Sequence, residues 1–256
     1  MVGGQGPAVV LLHGFPEIWY TWREVMAELR KSYRVIAADL PGVGCSSLAT
    51  RYDADSMARS IHDVVRAEGL GRVAMVGHDT GGWVAYSYAR QYRDEVSHLV
   101  LSGAAIPGFG LEALLDVNSP GHLPHLTFFQ QPEAPETMIG GREREYFGGF
   151  VTSEVMHRSG VIDVYARSYA RPGRLTAALG QYRAIPQDAS RNRAGAGGLL
   201  DMPTMAVSGP DEVGLSTDGL RRVARNVTEI AIAGAGHYVQ EDRPAQMASA
   251  LAQFIK

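Results

Sequence analysis

The chain is poor in cysteine and lysine. Cys45 is its only cysteine, which excludes an intramolecular disulfide framework and a thiolate-rich metal site. Of 24 basic residues only Lys31 and Lys256 are lysine, a mark of genomic base composition rather than of function. An excess of charge is lacking as well. Lys and Arg number 24 against 27 Asp and Glu, a formal net charge of -3. Nothing therefore supplies the positive field that a general nucleic-acid binder needs. Long apolar runs are also missing. The longest near the start, 8–12, is too short for a membrane span or a signal-peptide core. No membrane association is expected. Cytoplasm is the default location, with export left open should a leader have been lost from the start. What is present is 256 residues, 45% hydrophobic and 20% charged. That suffices for one large domain, or a core with an inserted subdomain.

The first half alternates between two periodicities. Residues 8–12 form a continuous apolar run ending at His13-Gly14, as in a buried parallel strand. Helical spacing follows over 19–31, with Trp22, Val25, Met26 and Leu29 on one side. A second strand is expected at 33–38, a helix at 55–68 (Met57, Ile61, Val64 and Val65 inward), and a third strand at 72–77. A helix at 81–92 and a fourth strand at 96–102 complete this half. Short strands separated by helices imply an α/β fold, a mostly parallel sheet flanked by helices.

From 107 to 200 no strand is expected. Helices are expected at 122–130, 132–139, 142–151, 161–170 and 172–184, and 194–198 reads as a flexible connection. The α/β pattern resumes with a strand at 202–208, a helix near 218–225, a strand at 228–233 and a last helix at 244–255. The expected organisation is a core of 1–106 and 201–256 with an all-helical cap, 107–200, over the strand ends. Residues 2–7 read as turn chemistry.

Gly77-His78-Asp79-Thr80-Gly81-Gly82 sits between an apolar strand and a helix. It has the G-x-nucleophile-x-G form of a nucleophile elbow, with Asp79 as the nucleophile. Read alone, it also fits a tight turn with aspartate capping the helix. After the 8–12 strand comes His13-Gly14-Phe15-Pro16, where proline suits a tight, even cis, turn. That turn would aim the Phe15 amide at the elbow. With the Thr80 amide it makes a two-donor oxyanion hole; His13 reads as structural. Gly236-His237-Tyr238 follows the last strand, making His237 the best general-base candidate among eight histidines. The acid that orients it is expected after the 202–208 strand, where Asp211 and Glu212 are adjacent; of the two, Asp211 is favoured. The order nucleophile, acid, histidine is that of α/β hydrolases.

These residues together resemble the α/β-hydrolase superfamily, and within it the epoxide hydrolase branch. Asp39-Leu40-Pro41-Gly42-Val43-Gly44-Cys45-Ser46 matches that family's structural turn after the second core strand. The resemblance spans about Val9 to Ile255. It leaves the family's N-terminal antiparallel edge strands apparently missing, as a miscalled gene start or a shortened chain would. Pro124-His125-Leu126-Thr127-Phe128-Phe129 and Gly180-Gln181-Tyr182-Arg183-Ala184 resemble cap segments of a Cif-like subgroup in which a His and a Tyr replace the usual tyrosine pair. Gly141–Tyr146 and Tyr165–Ala170 resemble further cap helices of that subgroup, with Arg142 to Glu145 read as a solvated, ion-paired face.

The resemblance implies His125 and Tyr182 as donors to an epoxide oxygen, with Tyr165 and Tyr169 as competitors. It implies conversion of an epoxide to a vicinal diol through a covalent Asp79 alkyl ester. No cofactor or metal is implied, and the partners are a small-molecule epoxide and water, with a homodimer left open. The rivals are a haloalkane or haloacid dehalogenase on the same scaffold and a non-catalytic ligand-binding relative. Haloalkane dehalogenases place Trp after the nucleophile, where this chain has Thr80. Fluoroacetate dehalogenases want Arg at the positions of Thr80 and Trp83, and Trp at that of Leu126. Some members of the subgroup take the relay acid from just after the fourth core strand. Gly103 occupies that place here, which sends the acid to Asp211 or Glu212.

Overall fold

The computed structural model describes residues 1–119, 121–195 and 198–256. Seven strands form one sheet in the order β1-β3-β2-β4-β5-β6-β7. They are β1 (Val2–Gly3), β2 (Ala8–Leu12), β3 (Arg34–Ala38), β4 (Val73–His78), β5 (Val96–Ser102), β6 (Thr204–Ser208) and β7 (Val227–Ala231). All pairings are parallel except β1 with β3. Of the antiparallel edge strands expected to be missing, one is present among the described residues as a two-residue stub, in the stretch read as turn. Its glycines hide it, because they carry no alternating apolar pattern.

The sheet is buried on both faces because each strand alternates its side chains. Val10 and Leu12 of β2 join one core with α2 (Ala54–Ala67) and α3 (Thr80–Gln91). Val9 and Leu11 join the opposite core with Val25, Met26 and Leu29 of α1 (Arg23–Leu29). The expected helix over 19–31 opens instead as a 3₁₀ turn, Trp19–Trp22, with no side-chain cap. Val64, expected inward, is 40% exposed, because the apolar side of α2 is covered through Met57, Ile61 and Val65.

Between β5 and β6 the described residues hold no strand, one 3₁₀ turn (Leu111–Leu114) and seven α-helices: α4 (Pro124–Phe128), α5 (Ala134–Ile139), α6 (Glu143–Phe150), α7 (Glu154–Ser159), α8 (Val161–Tyr169), α9 (Arg174–Arg183) and α10 (Ile185–Ala194). Two of these escaped the sequence. In α7 the helix is set by Ser153, whose side chain caps the Met156 amide, rather than by an apolar stripe. In α10 the buried side includes Asp188 and Asn192, so hydrophobic periodicity had little to register. Of the expected connection at 194–198, residues 196 and 197 lie outside the described residues. On the solvated side of α6, Arg144 pairs with Asp163 at 2.6 Å, but Glu143 turns inward and accepts from the Gly141 amide. The chain ends with α11 (Thr217–Val223), the short α12 (Val239–Asp242) and α13 (Pro244–Phe254). No described helix is long and apolar enough to cross a membrane.

Phe15 joins cap to core. Its ring meets Phe129, Phe147, Tyr169 and Tyr182 edge-on, with centroids 5.1, 5.5, 5.5 and 5.7 Å away. This aromatic cluster seats the cap over the C-terminal ends of β2, β4 and β5, where ligands of open α/β sheets bind.

Candidate active site

Strand β4 ends at His78 and α3 begins at Thr80, leaving Asp79 alone to reverse the chain at φ 48° and ψ -122°. A non-glycine residue there is strained, and such strain gathers at functional sites. The turn closes only because Gly77 and Gly81 lack side chains. A Cβ at Gly77 would lie 2.3 Å from the Gly81 carbonyl oxygen, and one at Gly81 would lie 2.4 Å from that of His13. The Phe15–Pro16 peptide is cis, and the Phe15 amide donates to Asp79 Oδ2 at 2.9 Å. The Thr80 amide, at the open end of α3, makes no hydrogen bond to that carboxylate. His13 is structural as expected. Its Nδ1 donates to the Gly14 carbonyl at 2.8 Å and its Nε2 accepts from the Leu40 amide at 3.0 Å. The Asp39 turn is structural too, its carboxylate holding the Trp19 and Cys45 amides, each at 2.8 Å.

His237 Nδ1 meets Glu212 Oε1 at 2.9 Å. Asp211 is exposed and makes no such contact, so the leaning toward Asp211 is corrected. Both residues lie in one 3₁₀ turn, Pro210–Glu212, where neighbours point about 120° apart and only one can face the base. The empty place at Gly103 is adjacent. A Cβ there would lie 3.0 Å from His237 Nδ1 and 3.4 Å from Glu212 Oε2. The His237 ring thus crowds the place a side chain at Gly103 would take, and Glu212 supplies the carboxylate that meets it.

Burial pulls the His237 imidazolium down in pKa. The hydrogen bond and charge of Glu212, followed by the charges of Asp79 and Glu17, outweigh it and push the ring up to about 9. Burial raises Glu212, but the His237 hydrogen bond and charge bring it below the ordinary carboxylate value.

The cap brings two donors over Asp79, His125 from α4 and Tyr182 from α9, with ring centroids 6.4 Å apart. Both line the cavity above Asp79, and neither side chain is hydrogen-bonded to another described residue. Burial, opposed by the charge of Asp79, lowers the His125 imidazolium, which favours its neutral form. The competing tyrosines are engaged elsewhere. Tyr165 donates to Glu241 Oε1, and Tyr169 donates to the Glu17 carbonyl at 3.0 Å.

The cavity holds about 270 Å³. Phe15, Trp83, Leu111, Leu126, Phe150 and Leu215 make much of its wall. No lysine or arginine lines it among the described residues. The Trp83 indole N–H is turned away, donating to the Ala105 carbonyl at 2.9 Å. No cluster of three or more metal-ligating side chains occurs among the described residues.

Residues 7–244 match the α/β-hydrolase fold family. The chain belongs to that family. This α/β hydrolase is 30% identical over 95% of its length to the soluble epoxide hydrolase of Corynebacterium sp. (strain C12), spanning 88% of that protein. It is 34% identical to a fluoroacetate dehalogenase of Burkholderia sp, over 58% of this chain and 51% of the other. Its fold superposes on the crystal structure of Cfl2 from Burkholderia cenocepacia with a TM-score of 0.92, at 35% identity over 100% of this chain and 90% of that one.

Sequence reasoning missed two residues of this hydrolase's site. Glu17 and His78 are fully buried beside Asp79 and hydrogen-bonded to each other. The available signal was a glutamate and a histidine at the ends of apolar strand-loop segments, where a charge is costly unless paired.

Proposed function

We propose that this α/β hydrolase converts a compact, uncharged epoxide to a vicinal diol. Asp79 attacks an epoxide carbon, the carbon–oxygen bond breaks, and an alkyl ester of Asp79 forms. The departing oxygen takes up a proton through Tyr182 and His125. Water then attacks the ester carbonyl while His237 takes its proton, which balances the one taken up earlier. The carbonyl oxygen becomes an oxyanion held by the Phe15 and Thr80 amides. Its collapse breaks the ester carbon–oxygen bond, and the departing oxygen takes the second proton of the former water. The diol leaves Asp79 as a carboxylate, and His237 returns its proton to solvent.

Ester formation also prepares the base. While Asp79 is ionised, its charge helps hold His237 protonated, at about 9. Alkylation cancels that charge, lowering His237 toward the range in which it accepts a proton from water.

The observation that carries this reading is the pair of cap donors, Tyr182 and His125, unpartnered in the cavity above Asp79. An opening epoxide puts charge on an oxygen that the backbone amides do not reach, and only the cap can meet it. The cavity's 270 Å³ lies just below the roughly 300–1,000 Å³ of pockets for drug-sized ligands, which supports a compact substrate. The two carboxylates of Asp79 and Glu212 outnumber the one lining imidazolium, His237, and no described lysine or arginine joins it, which disfavours an anionic one. The His/Tyr pair fits the Cif-like cap pattern.

The similarity to a fluoroacetate dehalogenase keeps halide displacement as the second reading. Against it stand Thr80 and Leu126 at the halide and carboxylate positions, and an indole N–H already bonded to Ala105. Incubation with styrene oxide, fluoroacetate and 1-chlorobutane separates the two. Diol from styrene oxide with little free halide from the others is expected. Fast fluoride release without diol reverses the assignment.

A further inference from the structure

Beneath the elbow lie two ionisable side chains with no exposure to solvent, Glu17 and His78. Glu17 follows Phe15 by two residues, and His78 directly precedes Asp79. Glu17 Oε2 and His78 Nδ1 are 2.7 Å apart. On the far side of the ring, Nε2 faces the His237 carbonyl oxygen at 3.0 Å. A carbonyl only accepts, so Nε2 carries a hydrogen.

The proton on Nδ1 follows from the carboxylate. Glu17 already receives three other donors: the Gly14 amide at 3.1 Å, the Thr21 hydroxyl at 2.5 Å and the Gln240 side-chain amide at 2.7 Å. A carboxyl that accepts from this many sides is ionised. Nδ1 then donates to it, and the ring holds both hydrogens. His13 makes the contrast, since one of its nitrogens faces a backbone N–H and must stay bare. Burial alone would raise the Glu17 carboxyl; the His78 charge and these donors bring it down to about 2. The other titratable groups around the pair are His13 after β2, Asp79 at the elbow, His237 and Tyr238 in the base loop, Glu241 of α12, Glu212 after β6, and Tyr165 and Tyr169 of the cap.

We propose that Glu17 and His78 form an ionised buried clamp that holds the amide loop, the nucleophile elbow and the base loop in register. Glu17 fixes the Gly14 amide, and with it the peptide that presents the Phe15 N–H to Asp79. His78 fixes the His237 carbonyl, with the two imidazoles 4.8 Å apart. Gln240 ties the chain beyond the base to the same carboxylate. Burying an ion pair is a poor way to gain stability compared with apolar packing, so its use here is geometric. Glu17 and His78 are positioning residues; neither touches the reacting atoms.

The direct test needs no substrate, so its outcome is separate from that of the epoxide reading. In the full chain labelled with ¹⁵N-histidine, both His78 ring nitrogens should appear protonated, each coupled to its own hydrogen, as their two acceptors require. A bare Nδ1, with the proton on Glu17 and Gln240 donating to the ring across their 3.1 Å contact, overturns the proposal. Glu17→Gln preserves the shape and removes the charge. It should lower kcat for styrene oxide by about 10²-fold, the scale of an ångström's misplacement, with KM within about threefold. Wild-type kcat in a folded Glu17→Gln protein also overturns it.

Discussion

Replacing Glu212 by Gln keeps the side chain's size and one acceptor oxygen while removing its charge. His237 stands at about 9 against an ordinary 6.5, with Glu212 the foremost group raising it. That difference corresponds to about 3 kcal/mol favouring the imidazolium. In the alkylated enzyme the Asp79 charge is gone, so Glu212 carries most of what remains. In the proposed hydrolysis, imidazolium is what His237 becomes as it deprotonates water. Glu212→Gln should therefore slow ester hydrolysis by about 10²-fold, the rate equivalent of about 2.7 kcal/mol. Ester formation, which uses Asp79 and the cap, should stay within about threefold. Rapid-quench mass spectrometry reads both steps, and the variant should show a burst followed by slow turnover. Asp211→Asn should alter neither step. If Asp211→Asn produces the burst and Glu212→Gln does not, the 2.9 Å contact to His237 is not the working relay.

Tyr182→Phe should slow ester formation by at least about 10-fold and leave hydrolysis of a preformed ester nearly unchanged, because in the proposed reaction its hydroxyl meets only the first leaving oxygen. Tyr169→Phe, whose hydroxyl holds the Glu17 carbonyl, should lower thermal stability before it alters that split; the reverse pattern would remove Tyr182 from the mechanism. Asp188 accepts from the Ala54 amide, joining α10 to α2. Burial, opposed by that amide and reinforced by the charges of Asp53 and Asp55, pushes it to about 7 from 3.8. Between these values the native state holds a proton that the unfolded chain releases, so this group's contribution falls as pH rises through the window. Asp188→Asn should raise Tm by roughly 5 °C at pH 8 and by less at pH 5; a lower Tm at pH 8 would mean that ionised Asp188 stabilises the fold.

The parallel sheet was legible because its strands are short apolar runs with glycine-rich exits, a pattern that local sequence carries. Asp79 and His237 were legible because each sits at a strand exit in the order an elbow requires. The carboxylate that meets His237 was legible only as a pair, since the side of a 3₁₀ turn that faces inward depends on the loop's placement. Helices α7 and α10 escaped because a serine cap and a polar buried face hold them, and neither leaves an apolar stripe. The clamp of Glu17 and His78 escaped for the same reason at longer range. Its partners are 61 residues apart in the chain, and pairing is what makes either one tolerable in a core.

The covalent ester of Asp79 is the centre of the account, and its trapping tests it most directly. His237→Gln removes the base of the second step and leaves the first intact, so the ester should accumulate after mixing with styrene oxide. Digestion and mass spectrometry should then show the mass of one epoxide added to the peptide that contains Asp79, with the fragment ions placing it on that side chain. An epoxide-derived mass on any other residue, or free diol formed with no adduct at any time point, contradicts the account.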